Sequence, residues 1–149
     1  MSTQKNAPIH ISVVLDRSGS MASIADDIVG GFNEYLREQR QVPGRARVTL
    51  AQFDGQDPFE LHINGVDLRE VTDLDRSVYR PRGNTPLFDA IGRMIAKIDA
   101  DMAARAEVGA DEEDQVVVIV TDGRENASSE YGRQMIFDLI EARRQRGWV

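Results

Sequence analysis

The chain of 149 residues has no cysteine, a single tryptophan and only two histidines. Without cysteine, disulfide bonds, thiol catalysis and zinc–thiolate sites are excluded. No apolar run approaches the roughly 20 residues that a membrane-spanning helix needs. Residues 1–8 also lack the apolar segment of a secretory signal peptide. These absences favour a cytoplasmic protein, although a segment cut from a secreted protein would share them.

The charge is mainly of one sign, because 25 acidic residues outnumber 18 basic ones and give a formal net charge of −7. This balance disfavours nonspecific binding to nucleic acid or to an anionic membrane, both of which attract basic surfaces. Hydrophobic residues make up 41% of the chain, as is typical of a folded soluble domain. We expect a disordered polar tail over residues 1–8 and one domain over residues 9–149.

The spacing of apolar residues predicts an alternation of strands and helices. Strands are predicted over residues 9–15, 47–53, 59–64 and 115–121, and helices from about 22 to 42, from 85 past 102 and from about 131 to 146. Such alternation indicates an α/β fold of three layers with right-handed crossovers. Strand 59–64 alternates apolar and polar residues, which suits an antiparallel strand at the sheet edge. Strand 115–121 is continuously apolar, so we expect it to be buried on both faces.

Local signals refine these elements. Ser23 is the predicted N-cap of the first helix, and Thr85 caps the second, with Pro86 in its first turn. The pair Gly30-Gly31 interrupts the first helix, either because the helix approaches the sheet closely or because the pair is merely tolerated. Residues 66–82 are expected to be irregular with at most a short helical turn, and residues 107–114 to form a solvated acidic loop.

The last helix is predicted to bury an apolar stripe and to end at Gly147. Trp148 and Val149 then have the character of a further strand. The predicted stripe consists of Met135, Ile136, Leu139 and Ile140.

The first strand runs directly into a short loop that is rich in side-chain oxygen. Asp16, Ser18 and Ser20 occupy alternate positions of this loop, and Gly19 lets the backbone turn. In open parallel sheets, ligands bind beyond the carboxyl ends of the strands. Carboxylate and hydroxyl oxygens in that place suit a hard cation such as Mg²⁺, which takes oxygen ligands and keeps several waters.

The pattern Asp16-x-Ser18-x-Ser20 resembles the metal-site signature (MIDAS) of the von Willebrand factor A family, whose fold also occurs in integrin inserted domains. Two further parts of that signature follow in order: Thr85 within GNTPL, and Asp122 at the end of VVVIVTDG. The resemblance covers the chain from Ile9 to about Val149. It implies a three-layer Rossmann-like fold, with a mostly parallel central sheet and one antiparallel edge strand.

The resemblance also implies a function. Asp16, Ser18, Ser20, Thr85 and Asp122 would hold one divalent cation, Mg²⁺ or alternatively Mn²⁺ or Ca²⁺. Because three of these ligands are neutral hydroxyls, the cation would retain affinity for one more anionic oxygen. In this family that oxygen typically comes from an Asp or Glu carboxylate of a protein partner. The segments DRSGSM and TDGREN are similar to those of small standalone bacterial members, so we expect a metal-dependent protein-binding module.

Each proposed ligand also has a simpler explanation in local structure. Asp16 could cap a loop or helix, Ser18 and Ser20 could be turn residues, Thr85 could be only an N-cap, and Asp122 could begin an Asp-Gly turn.

Neighbouring polar residues are expected to have supporting or structural roles. Asn84 and Glu125 are expected beside the site but not as ligands. Asp89 could brace the site or interact with the helix dipole. Neither His10 nor His62 lies near another candidate ligand in the sequence, so both are expected to be structural.

Two other functions compete with protein binding. A phosphate-processing enzyme of the aspartyl-phosphate type needs a second Asp two residues after the first, where this chain has Ser18. A serine hydrolase needs a base beside its serine, and neither a G-x-S-x-G turn nor a P-loop is present. We therefore expect no catalysis. The other alternative is a structural or interaction domain whose metal site is vestigial.

Family members normally continue past the position of Val149 with a strand, a helix and often one more strand. Their absence predicts an exposed sheet edge beside strand 115–121. Either the chain is a fragment, or this edge pairs with another copy or partner, and we expect self-association through it.

Overall fold

The computed structural model describes residues 7–149, so the predicted disordered tail lies mostly outside the described residues. The strands are β1 (Ile9–Asp16), β2 (Ala46–Phe53), β3 (Glu60–Asp67) and β4 (Asp114–Val120), and the α-helices are α1 (Ala25–Arg40), α2 (Leu87–Glu107) and α3 (Arg133–Arg144). Two 3-10 helices, Gly19–Ile24 and Leu68–Glu70, complete the regular structure. Among the helices of residues 7–149, none has the length and apolarity to cross a bilayer.

The four strands form one mixed sheet in the order β3-β2-β1-β4. β1 pairs in parallel with both β2 and β4, whereas β3 runs antiparallel to β2 at the edge. Asp16 at the end of β1 lies opposite Phe53 of β2, and Leu15 lies opposite Val120 of β4. The three parallel strands therefore end at the same side of the sheet. The predicted α/β fold with an antiparallel edge strand is confirmed.

Helices cover both faces of the sheet because side chains of β1 alternate between two apolar cores. Ile11, Val13 and Leu15 pack on one face with Phe32 and Leu36 of α1. Val14 packs on the other face with side chains of α2 and α3, including Met94, Ile98 and Ile136. Because alternate side chains of β1 pack against helices on opposite faces of the sheet, the domain has three layers and β1 lies in the middle one. This central position fixes the start of the loop that follows Asp16.

Two predicted helix caps are wrong. Ser23 lies within the 3-10 helix, and α1 begins only at Ala25, after Ile24 in the N-cap position. α2 begins at Leu87, with Pro86 rather than Thr85 at the N-cap position. Side chains from the loop after β4 accept hydrogen bonds from the first amides of α2, as a local cap would have done. Glu125 accepts from the Phe88 amide at 3.0 Å, and Ser128 accepts from the Asp89 amide at 2.9 Å.

The Gly30-Gly31 pair is tolerated rather than required by a close contact. A Cβ added at either glycine would meet no atom within 4 Å apart from those of its own helix and chain neighbours. The alternative of a close approach to the sheet is therefore wrong.

Burial near β4 also differs from the prediction. β4 is only half buried over much of its length, and the Ile119 side chain is 37% exposed. Met135 of α3 is 50% exposed, while Ile136 alone of the predicted stripe is fully buried. The acidic loop is not wholly solvated, because Glu113 is buried against Arg47 and Arg105.

Val149 makes two backbone hydrogen bonds with the outer edge of β4. Its amide donates to the Gln115 carbonyl at 3.0 Å, and its carbonyl accepts from the Val117 amide at 2.8 Å. The predicted strand character of Trp148 and Val149 stays a prediction, because the hydrogen bonds of one residue do not form a strand. Beyond Val117 the outer edge of β4 has no strand partner among residues 7–149.

Candidate metal centre

Three loops meet at the carboxyl side of the sheet. One follows β1 from Asp16, one precedes α2 at residues 83–86, and one follows β4 from Thr121. The Gly19 amide donates to the Gly83 carbonyl at 2.9 Å and joins the first two loops. Because β1 and β4 are adjacent and parallel, the first and third loops leave the sheet side by side. The topology therefore gathers distant segments around the end of β1.

Asp16 is completely buried, and both of its carboxylate oxygens are engaged. Oδ1 accepts from the Ser18 amide at 2.8 Å, and Oδ2 accepts from the Thr121 hydroxyl at 2.8 Å. The Tyr79 hydroxyl also donates to the backbone carbonyl of Asp16 at 2.5 Å. The carboxylate is thus oriented by its own loop and by the loop after β4.

The hydroxyls of Ser18 and Ser20 connect the first loop to Asp122. The two Oγ atoms lie 3.2 Å apart, and the Ser20 hydroxyl donates to Asp122 Oδ2 at 2.5 Å. The hydrogen bond from Ser20 lowers the pKa of Asp122, and the Arg124 amide and charge lower it further. Asp122 is therefore ionised near neutral pH and can contribute a negative charge at this place.

Thr85 is buried in the adjoining loop but makes no hydrogen bond through its side chain to the other four predicted residues in the described structure. Its amide donates to Oδ1 of Asn126 at 2.8 Å, and its carbonyl accepts from the Asn126 amide at 3.0 Å. The structure thus brings Asp16, Ser18, Ser20 and Asp122 into one hydrogen-bonded group. It places Thr85 beside them, anchored to the third loop.

Neither Ser18 nor Thr85 uses its hydroxyl to cap a helix. Ser18 occupies the N-cap position of the 3-10 helix, but its side chain makes no capping hydrogen bond. Thr85 is not the N-cap of α2. Both hydroxyls are therefore free of the helix amides that they could have capped.

The spacing of the side-chain oxygens suits a small divalent cation. Mg²⁺ takes oxygen ligands at about 2.1 Å in octahedral geometry, so neighbouring ligand oxygens lie roughly 3 Å apart. The observed separations of 3.2 Å between the serine hydroxyls and 2.5 Å between Ser20 and Asp122 lie on either side of that value. Hydroxyl and carboxylate oxygens at this spacing fit a hard cation, although no residue here selects Mg²⁺ over Mn²⁺.

The structure shows the positions of several residues around the site whose roles the sequence did not predict or left undecided. Thr121 and Asn126 contact Asp16 and Thr85, and only the pairing of distant strands reveals them. Glu125 has the structural role expected of it, because it caps α2. Asn84 is exposed beside the site.

Asp89 supports the loop after β4 rather than the helix dipole alone. Its carboxylate accepts from the amides of Ser129, Glu130 and Tyr131 at 2.8–2.9 Å. Burial alone would raise the pKa of Asp89, but these three hydrogen bonds outweigh it and lower the pKa. An ionised side chain thus holds the third loop against α2.

A second group of potential ligands lies at the opposite, amino-terminal side of the sheet. One ligand atom from each of His10, Asp101 and Glu113 lies within 4.8 Å of the others. Arg47 already donates to both carboxylates at 2.7–2.8 Å.

The two His10 nitrogens are also engaged, with Gln115 at 3.0 Å and Thr49 at 2.8 Å. Since protein partners occupy the donors and a guanidinium supplies the positive charge, this group fits an ion-pair network better than a metal site. His10 therefore has a structural environment, in agreement with the expectation.

Comparison with protein families finds a match to the model described as von Willebrand factor type A domain, over residues 10–146. Comparison with curated proteins finds no match.

Proposed function

Because the chain belongs to the von Willebrand factor type A domain family, we propose that it is a metal-dependent protein-binding module. Domains of this family commonly mediate protein–protein interactions, often with a bound divalent cation. The hydrogen bonds that link the side-chain oxygens of Ser18, Ser20 and Asp122 support the proposal most. Local capping does not explain them. Bacterial origin and a cytoplasmic location stay predictions.

In this proposal Asp16, Ser18, Ser20, Thr85 and Asp122 hold one Mg²⁺, directly or through water. The bound cation would supply a Lewis-acidic position for a carboxylate oxygen of a protein partner. Thr121 keeps the Asp16 carboxylate oriented. Ser20 and Asp122 are exposed, so a partner can approach the group from solvent.

We propose binding rather than catalysis because the two carboxylates of the site, Asp16 and Asp122, are assigned to the metal, so that neither is left to act as a general base. The residue two positions after Asp16 is Ser18, which cannot act as an acid or base at neutral pH. His10 lies near the amino end of β1, whereas Asp16 ends that strand. A domain with a vestigial metal site is the alternative, and metal titration separates the two.

Calorimetric titration with MgCl₂ and MnCl₂ tests the metal site directly. We expect saturable binding by the wild type, and loss of binding in Asp16→Ala and Asp122→Ala. Thermal stability should also rise with metal, by about 2.7 kcal/mol at a concentration 100 times the Kd. Asp73→Ala is the matched control, since Asp73 is exposed and makes no side-chain hydrogen bond or ion pair in the described structure. Absence of both heat and stabilisation in the wild type would favour the vestigial alternative.

A pull-down addresses the binding function itself. Wild type, Asp16→Ala and Asp73→Ala are compared with Mg²⁺ and with chelator. We expect partners that the wild type and Asp73→Ala retain only with Mg²⁺ and that Asp16→Ala does not retain. Partners retained equally with chelator would contradict a metal-dependent interaction.

A further inference from the structure

A second polar cleft lies close to the candidate metal centre, and three arginines are among the residues that line it. It has a volume of about 550 Å³, and we call it the arginine cleft; its walls include Arg17, Glu60, His62, Arg80 and Arg82. That volume falls in the range of roughly 300–1,000 Å³ that is common for ligand sites.

Backbone hydrogen bonds connect one wall of the arginine cleft to a loop of the metal centre. Arg17 lies between the proposed ligands Asp16 and Ser18 in the sequence. The Arg82 amide donates to the Arg17 carbonyl at 2.8 Å, and the next residue, Gly83, accepts from Gly19 at 2.9 Å. The segment that walls the cleft is therefore hydrogen-bonded to the loop that carries the serine ligands.

Arg17 has hydrogen-bonding capacity that the described protein does not use. The residue is only 4% exposed, and its Nε donates to Asp54 while Nη1 donates to Glu60, both at 2.9 Å. Nη2 is buried and has no hydrogen-bond partner. A guanidinium has five N–H donors, and a buried charged donor without an acceptor is costly. Arg17 can therefore donate a hydrogen bond to one more anionic oxygen.

The single negative charge of Asp54 does not neutralise the positive charge of the cleft. Its Oδ2 accepts from Arg17 and also from Arg82 at 2.8 Å, while Oδ1 accepts from the amides of Gln56 and Asp57. Burial alone would raise the pKa of Asp54, but the hydrogen bonds, led by the one from Arg82, outweigh it and lower the pKa. Asp54 is ionised, fully buried and already satisfied. It therefore positions the two guanidiniums.

Arg80 leaves the cleft with an excess of positive charge. It is exposed, donates through Nε to the Ser77 carbonyl at 3.0 Å, and makes no ion pair among residues 7–149. Among the residues that line the cleft and their ion-pair partners, the three guanidiniums of Arg17, Arg80 and Arg82 thus meet the two carboxylates of Asp54 and Glu60. The excess occurs in a chain whose net charge is −7, so it is a local exception.

We propose that the arginine cleft binds a carboxylate of the protein partner, so that the partner presents a second acidic group beside the one at the metal. This inference rests on the proposed function and adds to it: the recognised segment carries two acidic side chains. A planar carboxylate matches the paired N–H groups of a guanidinium. The partner's carboxylate accepts hydrogen bonds from the unused N–H groups of Arg17 and Arg80. The negative charge of Glu60 repels it.

The test uses sodium acetate as the probe on protein from which the metal and then the chelator have been removed, so that the metal centre takes no part. Binding is followed by the ¹⁵N–¹H signals of the arginine Nε groups at constant ionic strength, with sodium chloride as the salt control. We expect saturable shifts for Arg17 and Arg80 with acetate but not with chloride. The Arg69 signal is the internal reference, since this exposed residue pairs with Asp67 far from the cleft. Equal shifts for Arg17 and Arg69 would overturn the proposal.

Two variants of opposite effect separate a binding role from a structural one. Arg80→Gln should weaken acetate binding several-fold, whereas Glu60→Gln should strengthen it, because each changes the charge that the anion meets. Arg69→Gln removes the same charge as Arg80→Gln at a distance and should leave acetate binding unchanged. A cleft whose charges only stabilise the fold would not give opposite changes in the Kd for acetate.

Inorganic phosphate provides the second arm. Saturable binding of phosphate without binding of acetate would replace the proposed partner carboxylate by a phosphate group and would overturn the proposal. The metal titration described above is done without acetate. Failure of the arginine cleft and failure of the metal site are therefore distinguishable.

Discussion

The hydroxyl of Thr121 donates to Oδ2 of Asp16 at 2.8 Å and so connects the ends of two neighbouring parallel strands. Asp16 ends β1, and Thr121 directly follows β4. Since the other oxygen of Asp16 accepts from its own loop, this single bond from β4 completes the orientation of a buried carboxylate. The proposed metal site thus depends on strand pairing as well as on its ligands.

Thr121→Val should weaken metal binding although Thr121 is not a proposed ligand. Valine has a similar shape but no hydroxyl, so Asp16 loses one of its two anchors. Loss of such a supporting hydrogen bond typically lowers metal affinity by about 10-fold or more. Calorimetric titration with Mn²⁺ measures the effect, and Thr121→Ser should retain near-normal affinity. Equal affinities of the valine variant and the wild type would contradict this role.

Asp89→Asn should destabilise the fold by about 1–3 kcal/mol, the usual cost of unsatisfied buried hydrogen-bonding groups. The Asp89 carboxylate accepts from three amides of the loop after β4, and an asparagine amide has only one oxygen to offer them. Urea unfolding near neutral pH measures the loss. Asp73→Asn, at an exposed position, should stay within experimental error of the wild type. A similar loss in both variants would indicate a nonspecific charge effect.

The buried imidazole of His10 should make stability fall in mildly acidic solution. Burial, followed by the charge of Arg47, lowers the pKa of His10 from 6.5 despite the nearby carboxylates of Glu113 and Asp101. Between the folded and unfolded pKa values the unfolded chain binds more protons, so unfolding becomes easier as pH falls. The stabilisation is complete above about pH 6.5, the unfolded pKa. It is lost progressively below that, down to the folded pKa.

Urea unfolding at about pH 7.5 and about pH 5.5, on either side of the usual histidine pKa, measures this dependence. His10→Gln should flatten it even if the variant is less stable at both values. His62→Gln is the matched control, because His62 is exposed on β3. An unchanged slope in His10→Gln would assign the pH dependence to other groups.

Two glycine-to-alanine substitutions should have opposite effects on stability. A Cβ at Gly92 would lie 2.6 Å from the Tyr131 ring, so Gly92→Ala forces α2 and the loop before α3 apart. A Cβ at Gly30 meets nothing within 4 Å, and alanine in a helix is better than glycine by up to about 1 kcal/mol. Thermal unfolding should show a lower Tm for Gly92→Ala and a higher Tm for Gly30→Ala. A higher Tm for both would show that Tyr131 moves without cost.

Self-association through the open edge of β4 stays a prediction. Apolar clefts of about 290 and 120 Å³ flank this strand, one beside Val118 and Val120 and the other beside Val117 and Ile119. Sedimentation velocity over a range of concentrations should show dimerisation that Ile119→Lys abolishes. Val108→Lys, at a site 80% exposed in the loop before β4, should not affect it. A monomer at every concentration would contradict the prediction.

The sequence predicted most of the architecture because the signals for it are local. Val13 and Val14 lie within a short, β-branched apolar run that is typical of a buried strand, and the alternation of Leu61 with polar neighbours indicated an edge strand. The prediction was wrong at Thr85, because this residue has the local sequence pattern of a helix N-cap. Glu125, forty residues later, caps that helix instead. A local pattern cannot report a competitor that arrives from a distant loop.

The sequence by itself determined the order of strands and helices and the chemical identity of the proposed ligands, since periodicity and side-chain type are properties of the chain alone. Only the tertiary structure decided that Asp16 is held by Thr121, that Ser20 meets Asp122, and that Arg17 keeps an unused donor beside a cleft. Those relationships depend on the parallel pairing of β4 with β1 and on how the loops pack. The free energies that select that arrangement come from contacts between residues far apart in the chain.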